Sequence, residues 1–149
     1  MRSVLFSLAA AAAVVATPAL AGESRVEART GINWVKGVPG SVSSAGVAAG
    51  HDMDLGSAFA GVELSADKLL IKDAKVVFGG AVRVGTNVTE AGKVYAIGGY
   101  ETTFENNSDD WSVGAGYQHS FGRVYLKAEY RRHIDTDLNT VLTGVGFKF

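Results

Sequence analysis

The chain has 149 residues, with 14 Lys+Arg against 15 Asp+Glu and a formal net charge of −1 at pH 7. That balance supplies no basic excess with which to hold nucleic acid, and the absence of Cys excludes disulfides and thiolate metal sites. The length suits one domain, and 19 Gly against 2 Pro suit close strand packing better than a disordered chain.

The first predicted element is an export signal. Arg2 precedes an apolar run from Val4 to Val15, followed by Thr17-Pro18-Ala19-Leu20-Ala21 and Gly22. A charged start, an apolar run too short to span a bilayer and an Ala-x-Ala site predict cleavage after Ala21. The expected organisation is a cleavable signal peptide over 1–21 and one folded domain over 22–149. No later stretch approaches the roughly 18 apolar residues of a membrane helix, so any membrane crossing must use strands.

From residue 25 onward the dominant pattern is period two. Arg25–Val35 alternates Val26, Ala28, Thr30, Ile32 and Trp34 against Glu27, Arg29, Gly31 and Asn33. Further segments run about Ala45–Met53, Ser57–Asp67, Lys75–Asn87 and Lys93–Glu105. In the fourth, Val76, Phe78, Val82 and Val84 oppose Gly79, Ala81, Arg83 and Gly85. The alternation is cleanest over Trp111–Phe121, Arg123–His133 and Asn139–Phe149. Phe59, Val77, Ile97 and Leu142 depart from it, falling on the polar face. Eight such segments match the roughly 9–11 residues that a tilted strand needs to cross a bilayer. Tight links rich in Gly or acid (Asp54-Leu55-Gly56, Val88–Gly92, Phe121-Gly122) alternate with longer ones (Lys36–Ser44, Lys68–Ala74, Asn106–Asp109, Ile134–Leu138). Membrane barrels place short turns on the periplasmic side and longer loops outside, which puts both termini at the periplasmic end.

Alternation alone leaves the two faces unassigned, since a soluble barrel alternates with its apolar face inward. Three features favour apolar outward. The polar face gathers glycines with Glu27, Arg29, Glu63, Arg83, Glu101, Lys127, Glu129 and Arg131, a balanced set that an eight-stranded lumen can hold. Aromatic residues of the apolar face fall near segment ends. Trp34, Phe78, Phe104, Trp111 and Tyr130 map to one rim, and Phe121, Phe147 and Phe149 to the other, as membrane girdles do. Tyr100 and Tyr117 fit this sorting less well. The last strand, Val145-Gly146-Phe147-Lys148-Phe149, ends the chain on a Phe.

That final strand resembles the C-terminal signature read by the outer-membrane barrel assembly machinery. The chain from residue 22 resembles the small porin-like barrels of the OmpA/OmpX and opacity-protein type. Gly46-Val47-Ala48-Ala49-Gly50-His51-Asp52 and Gly61-Val62-Glu63-Leu64 look like second and third strands of that group. The resemblance implies an all-β, eight-stranded antiparallel up-and-down transmembrane barrel in the outer membrane of a Gram-negative cell. It implies lipopolysaccharide and other outer-membrane lipids as surroundings, and the assembly machinery as a partner through Phe149. In one respect the chain departs from the group: members that bind hosts have long exposed loops, and the loops here are short.

Candidate chemistry is sparse. His51, His119 and His133 lie on different strands and, apart from Asp52 and Asp54 beside His51, lack the converging partners that a metal needs; they are read as interfacial or loop histidines. His119 faces outward by parity while Ser120 faces inward, so an acyl-transfer pair would require a partner from another strand. Asp109-Asp110 and Asp135-x-Asp137 are read as solvated loop charge, with weak divalent-cation binding as the alternative. Arg25, Arg29, Tyr95, Tyr125, Lys127 and Arg131 would crowd the lumen and oppose a wide pore. The expectation is a structural barrel without cofactor or catalytic site, acting in envelope integrity or surface interaction. A soluble exported barrel holding a lipophilic ligand, and an enzyme modifying lipid A, are the alternatives.

Overall fold

The computed structural model describes residues 22–103 and 108–149. Eight antiparallel strands form one closed barrel in sequence order: β1 (Gly22–Val35), β2 (Val42–Leu55), β3 (Ala58–Leu69), β4 (Val76–Asn87), β5 (Gly92–Thr103), β6 (Ser108–Phe121), β7 (Val124–His133) and β8 (Leu138–Lys148). The predicted signal peptide and Phe104 lie outside the described residues. Each strand pairs with its sequence neighbour, and β1 closes on β8, so the barrel has no free edge. The seam continues one residue past β8, where Phe149 and Ser24 exchange backbone hydrogen bonds of 3.1 and 3.0 Å.

Local chemistry sets the turns. Between β2 and β3, Gly56 adopts φ 87° and its N–H donates to Asp54 Oδ1 at 2.8 Å. Gly122 supplies the same left-handed geometry, φ 65°, between β6 and β7, a conformation that glycine takes without steric cost. These turns lie at the end of the barrel that holds Gly22 and Phe149, and the longer connections 36–41, 70–75 and 134–137 lie at the other.

The fork left by alternation closes in favour of apolar outward. Val82, Val84, Leu126, Val141 and Val145 are exposed on the outer wall, whereas Arg25, Glu63, Arg83, Lys127 and Arg131 are buried inside. A soluble barrel with an apolar ligand cavity has the reverse arrangement, and that alternative is set aside. Phe59, Ile97 and Leu142 are buried on the inner face, as their parity required. Phe59, Ile97 and Tyr95 form a small apolar cluster within a mostly polar interior.

Candidate functional site

The barrel interior is the site where chemistry-bearing residues converge. All eight charged residues expected there point inward, seven of them buried and Glu101 half-buried. Glu63 on β3 is the hub. It accepts hydrogen bonds from Arg25 Nη1 at 3.0 Å, Arg29 Nη1 at 2.9 Å and Arg131 Nη2 at 2.8 Å, with Lys127 Nζ at 3.5 Å. Lys127 also pairs with Glu27 at 2.5 Å and Glu129 at 3.6 Å. Arg131 reaches Glu129 and, at 3.7 Å, Glu101. Charges this deep persist only when paired and hydrogen-bonded, and the network supplies those partners across opposite walls.

The inward glycines explain how partners two strands apart can meet. Gly46 lies in register between Arg29 and Asp67, Gly50 between Arg25 and Glu63, and Gly61 between Asp52 and Arg83. Each flanking pair is bonded or bridged across its glycine. A Cβ at any of the three would collide with one of those charged groups. The same arrangement carries two tyrosines. Tyr95 reaches Glu129 at 2.8 Å across Gly116, and Tyr125 reaches Glu27 at 2.7 Å across Gly146. Glycine and charge therefore share a face because removing one side chain opens the path between the next two.

Toward the terminal end, Arg83 is held by the carboxylate of Asp52 and donates to Gln118 Oε1 at 3.2 Å. Its guanidinium lies 4.8 Å from the Tyr95 ring centroid and 5.3 Å from that of Phe59. Those distances suit cation–π attraction and give an inward Phe a polar partner. Lys93 pairs with Glu23 at 3.2 Å and with Asp52 at 3.6 Å, and Lys148 reaches Glu23 at 2.8 Å.

At the opposite mouth the sequence reading needs correction. His133 is neither interfacial nor in a loop. It closes β7 on the inner face, buried, with Nδ1 3.6 Å from Asp110 and 3.8 Å from Glu101. Asp110 belongs to β6, because that strand begins three residues earlier than the alternation suggested. Its carboxylate accepts from Asp135 N–H at 3.1 Å and from the Thr136 hydroxyl, anchoring the connection after β7. Thr140 Oγ1 donates to Asn33 Oδ1 at 2.8 Å and lies 3.4 Å from His133 Nε2, so Nε2 is the donor of that contact. Asp52, Asp67, Lys93 and Gln118 also join the interior, although sequence reasoning had not singled them out. Parity was the available signal for Asp67, Lys93 and Gln118.

The outer wall carries the aromatic residues at two levels. Trp34 neighbours Tyr130 with ring centroids 6.4 Å apart, and Tyr100 packs on Trp111 at 5.1 Å. Near the terminal end, His119 sits between Tyr117 at 6.2 Å and Phe121 at 4.7 Å, and Phe147 pairs in register with Val124. Tyr100 and Tyr117, which fitted the sorting poorly, therefore each join a level. Phe78 lies on the outer face of β4, half-buried. His119 Nδ1 shares a hydrogen bond with the Tyr117 hydroxyl at 3.1 Å. A Ser–His contact does form elsewhere, Ser24 Oγ to His51 Nδ1 at 3.0 Å. Among the described residues the other ring nitrogen of His51 is buried without a hydrogen-bond partner, and no acid there completes a relay.

No family model matches the sequence, and no curated protein matches it. Solved structures do resemble the fold. A de novo designed transmembrane β-barrel superposes with a TM-score of 0.66 at 17% identity, covering 87% of this chain and 97% of that one. The outer membrane protein Ail of Yersinia pestis, in a phospholipid bilayer nanodisc, gives 0.59 at 14% identity over 86% and 99%. The N-terminal β-barrel domain of Pseudomonas aeruginosa OprF gives 0.59 at 14% identity over 86% and 99%. The fold is thus that of the small eight-stranded transmembrane barrels. Identity this low carries the architecture and no activity.

Proposed function

We propose that this chain is a non-enzymatic structural barrel of the Gram-negative outer membrane, plugged along its axis and serving envelope integrity or surface contact rather than bulk diffusion. The observation that carries the reading is the Glu63 hub: four cations from β1 and β7 converge on one carboxylate, leaving the lumen crossed by side chains. A wide solute path along the axis would require several of these buried ion pairs to part together. The apolar wall and its two aromatic levels suit a bilayer as solvent. Export through the signal over 1–21, and insertion by the barrel assembly machinery reading the strand that ends at Phe149, belong to the same reading.

Two measurements on refolded protein test it. A closed membrane barrel satisfies its backbone between strands, so the unheated protein should resist SDS and migrate differently from the boiled sample. In planar bilayers it should show no steady large-conductance state. Unshifted mobility of material that circular dichroism shows to be folded β overturns the membrane assignment, and a persistent wide-pore current overturns the plug.

A further inference from the structure

We propose that a groove on the outer wall seats an acyl chain of a phosphorylated outer-leaflet glycolipid, with Arg132 meeting its phosphate; this rests on the outer-membrane reading above. A shallow cavity of about 760 Å³ crosses β4 to β8, within the size range of ligand sites. Its floor is Ala96, Ala115 and Ala128, with Gly98, which carries no side chain, next beyond Ala96 on the outer face, and its sides include Val84, Tyr117 and Tyr130. The register rows Val84–Ala96–Ala115–Tyr130 and on to Val141 define its path. Val84 lies near the turn end of β4 and Val141 near the loop end of β8, so the groove runs diagonally up the wall.

Its chemistry selects the occupant. The tyrosine hydroxyls at its sides are engaged, Tyr130 with Asn139 Oδ1 at 2.6 Å and Tyr117 with His119. The groove therefore accepts a long, apolar, flexible body. Glu129 also lines the groove, but its carboxylate is engaged inside the lumen. On the outer face the groove meets charge at the loop end, where Arg132 is the next outward residue of β7 after Tyr130. It is exposed and paired with Asp137 at 2.8 Å. An exposed pair of this kind is worth at most about 1 kcal/mol, whereas a guanidinium binds a phosphate in a bidentate, charge-assisted way. An apolar chain with an anionic head at the loop-end rim is the amphiphile this describes. A second copy of the barrel is less suited, because it brings no phosphate to the Arg132 guanidinium.

Native mass spectrometry of the refolded barrel, with lipid A added, reads the site directly. One lipid A adduct should survive activation that strips phosphatidylglycerol. Filling the floor with A115L/A128L should abolish it, while V82L, outside the groove, should not. Arg132→Gln, or enzymatic dephosphorylation of the lipid, should weaken retention about tenfold. All variants should keep their heat-dependent gel shift. Equal retention of both lipids, an adduct indifferent to A115L/A128L, or a protein dimer that those substitutions dissolve would each overturn the inference. Loss of the gel shift in the parent protein would instead overturn the membrane reading on which it stands.

Discussion

Replacing Glu63 with Gln keeps the size of the hub and removes its charge, so the consequence follows from what each cation retains. Lys127 keeps Glu27 and Glu129, Arg131 keeps Glu129 and Glu101, and Arg29 keeps Asp67. Arg25 is left worst, because its other carboxylate, Asp52, is 3.8 Å away and already engaged by Arg83. One uncompensated buried guanidinium corresponds to about 3–5 kcal/mol. That is a large share of the roughly 5–15 kcal/mol that holds a domain together. Urea titration in phospholipid vesicles, followed by tryptophan emission, should show that loss for Glu63→Gln. Removing the stranded charge with Arg25→Met should recover part of it, and the double-mutant cycle gives the coupling. Asp67 provides the contrast: its side chain is 22% exposed, so Asp67→Asn should cost less than Glu63→Gln. A loss below about 1 kcal/mol for Glu63→Gln, or no recovery with Arg25→Met, would mean that water rather than Glu63 compensates these cations.

The wall makes its own predictions. Val82 is 64% exposed on the outer face, so Val82→Arg should cost about 2–4 kcal/mol near the bilayer midplane, measured by the same titration. An unchanged midpoint would mean that position 82 does not face lipid. Trp34 and Trp111 stand at the loop-end aromatic level, where an indole keeps its N–H near headgroups. Shallow brominated lipids should quench their emission most strongly and aqueous iodide only weakly. Strongest quenching by deep bromines would place both rings nearer the bilayer centre.

Facing was readable from the sequence because a strand repeats every two residues and this chain keeps that period through eight segments. Parity alone sends Phe59, Ile97 and Leu142 inside with the charges, and the structure agrees. Parity loses force where both faces are polar. His51-Asp52-Met53-Asp54 offers no apolar row against which to read Asp52, so the partner of Arg83 passed as a neighbour of a histidine. Strand ends fail for a related reason. Asp110 and His133 lie beside loops whose acidic residues suggested solvent, while the pairing that extends β6 to Ser108 is set by its neighbour β5. Pairing is the deeper gap. Period two names the face of Arg25 and Glu63 but not that they meet across Gly50, since that contact joins strands two apart and depends on register.

The glycine between partners is where that register becomes testable. At Gly116 a Cβ would stand 2.5 Å from the Tyr95 ring carbon Cζ and its hydroxyl, closer than real carbon contacts allow. The ring has little room to yield: its hydroxyl is bonded to Glu129 and its face is covered by Arg83. Gly116→Ala should therefore act as overpacking, destabilising by about 1–3 kcal/mol, even though alanine suits an extended strand better than glycine does. The sign separates the two causes, because relief of glycine's conformational freedom alone would stabilise by about 0.4–1 kcal/mol. With Tyr95→Ala the obstruction is gone, and adding Gly116→Ala to that background should be neutral or stabilising. Such reversal assigns the glycine to the path between Tyr95 and Glu129. Equal effects of Gly116→Ala in both backgrounds would show that position 116 answers to its own backbone, and that glycines sharing a face with charges do not clear the way between them.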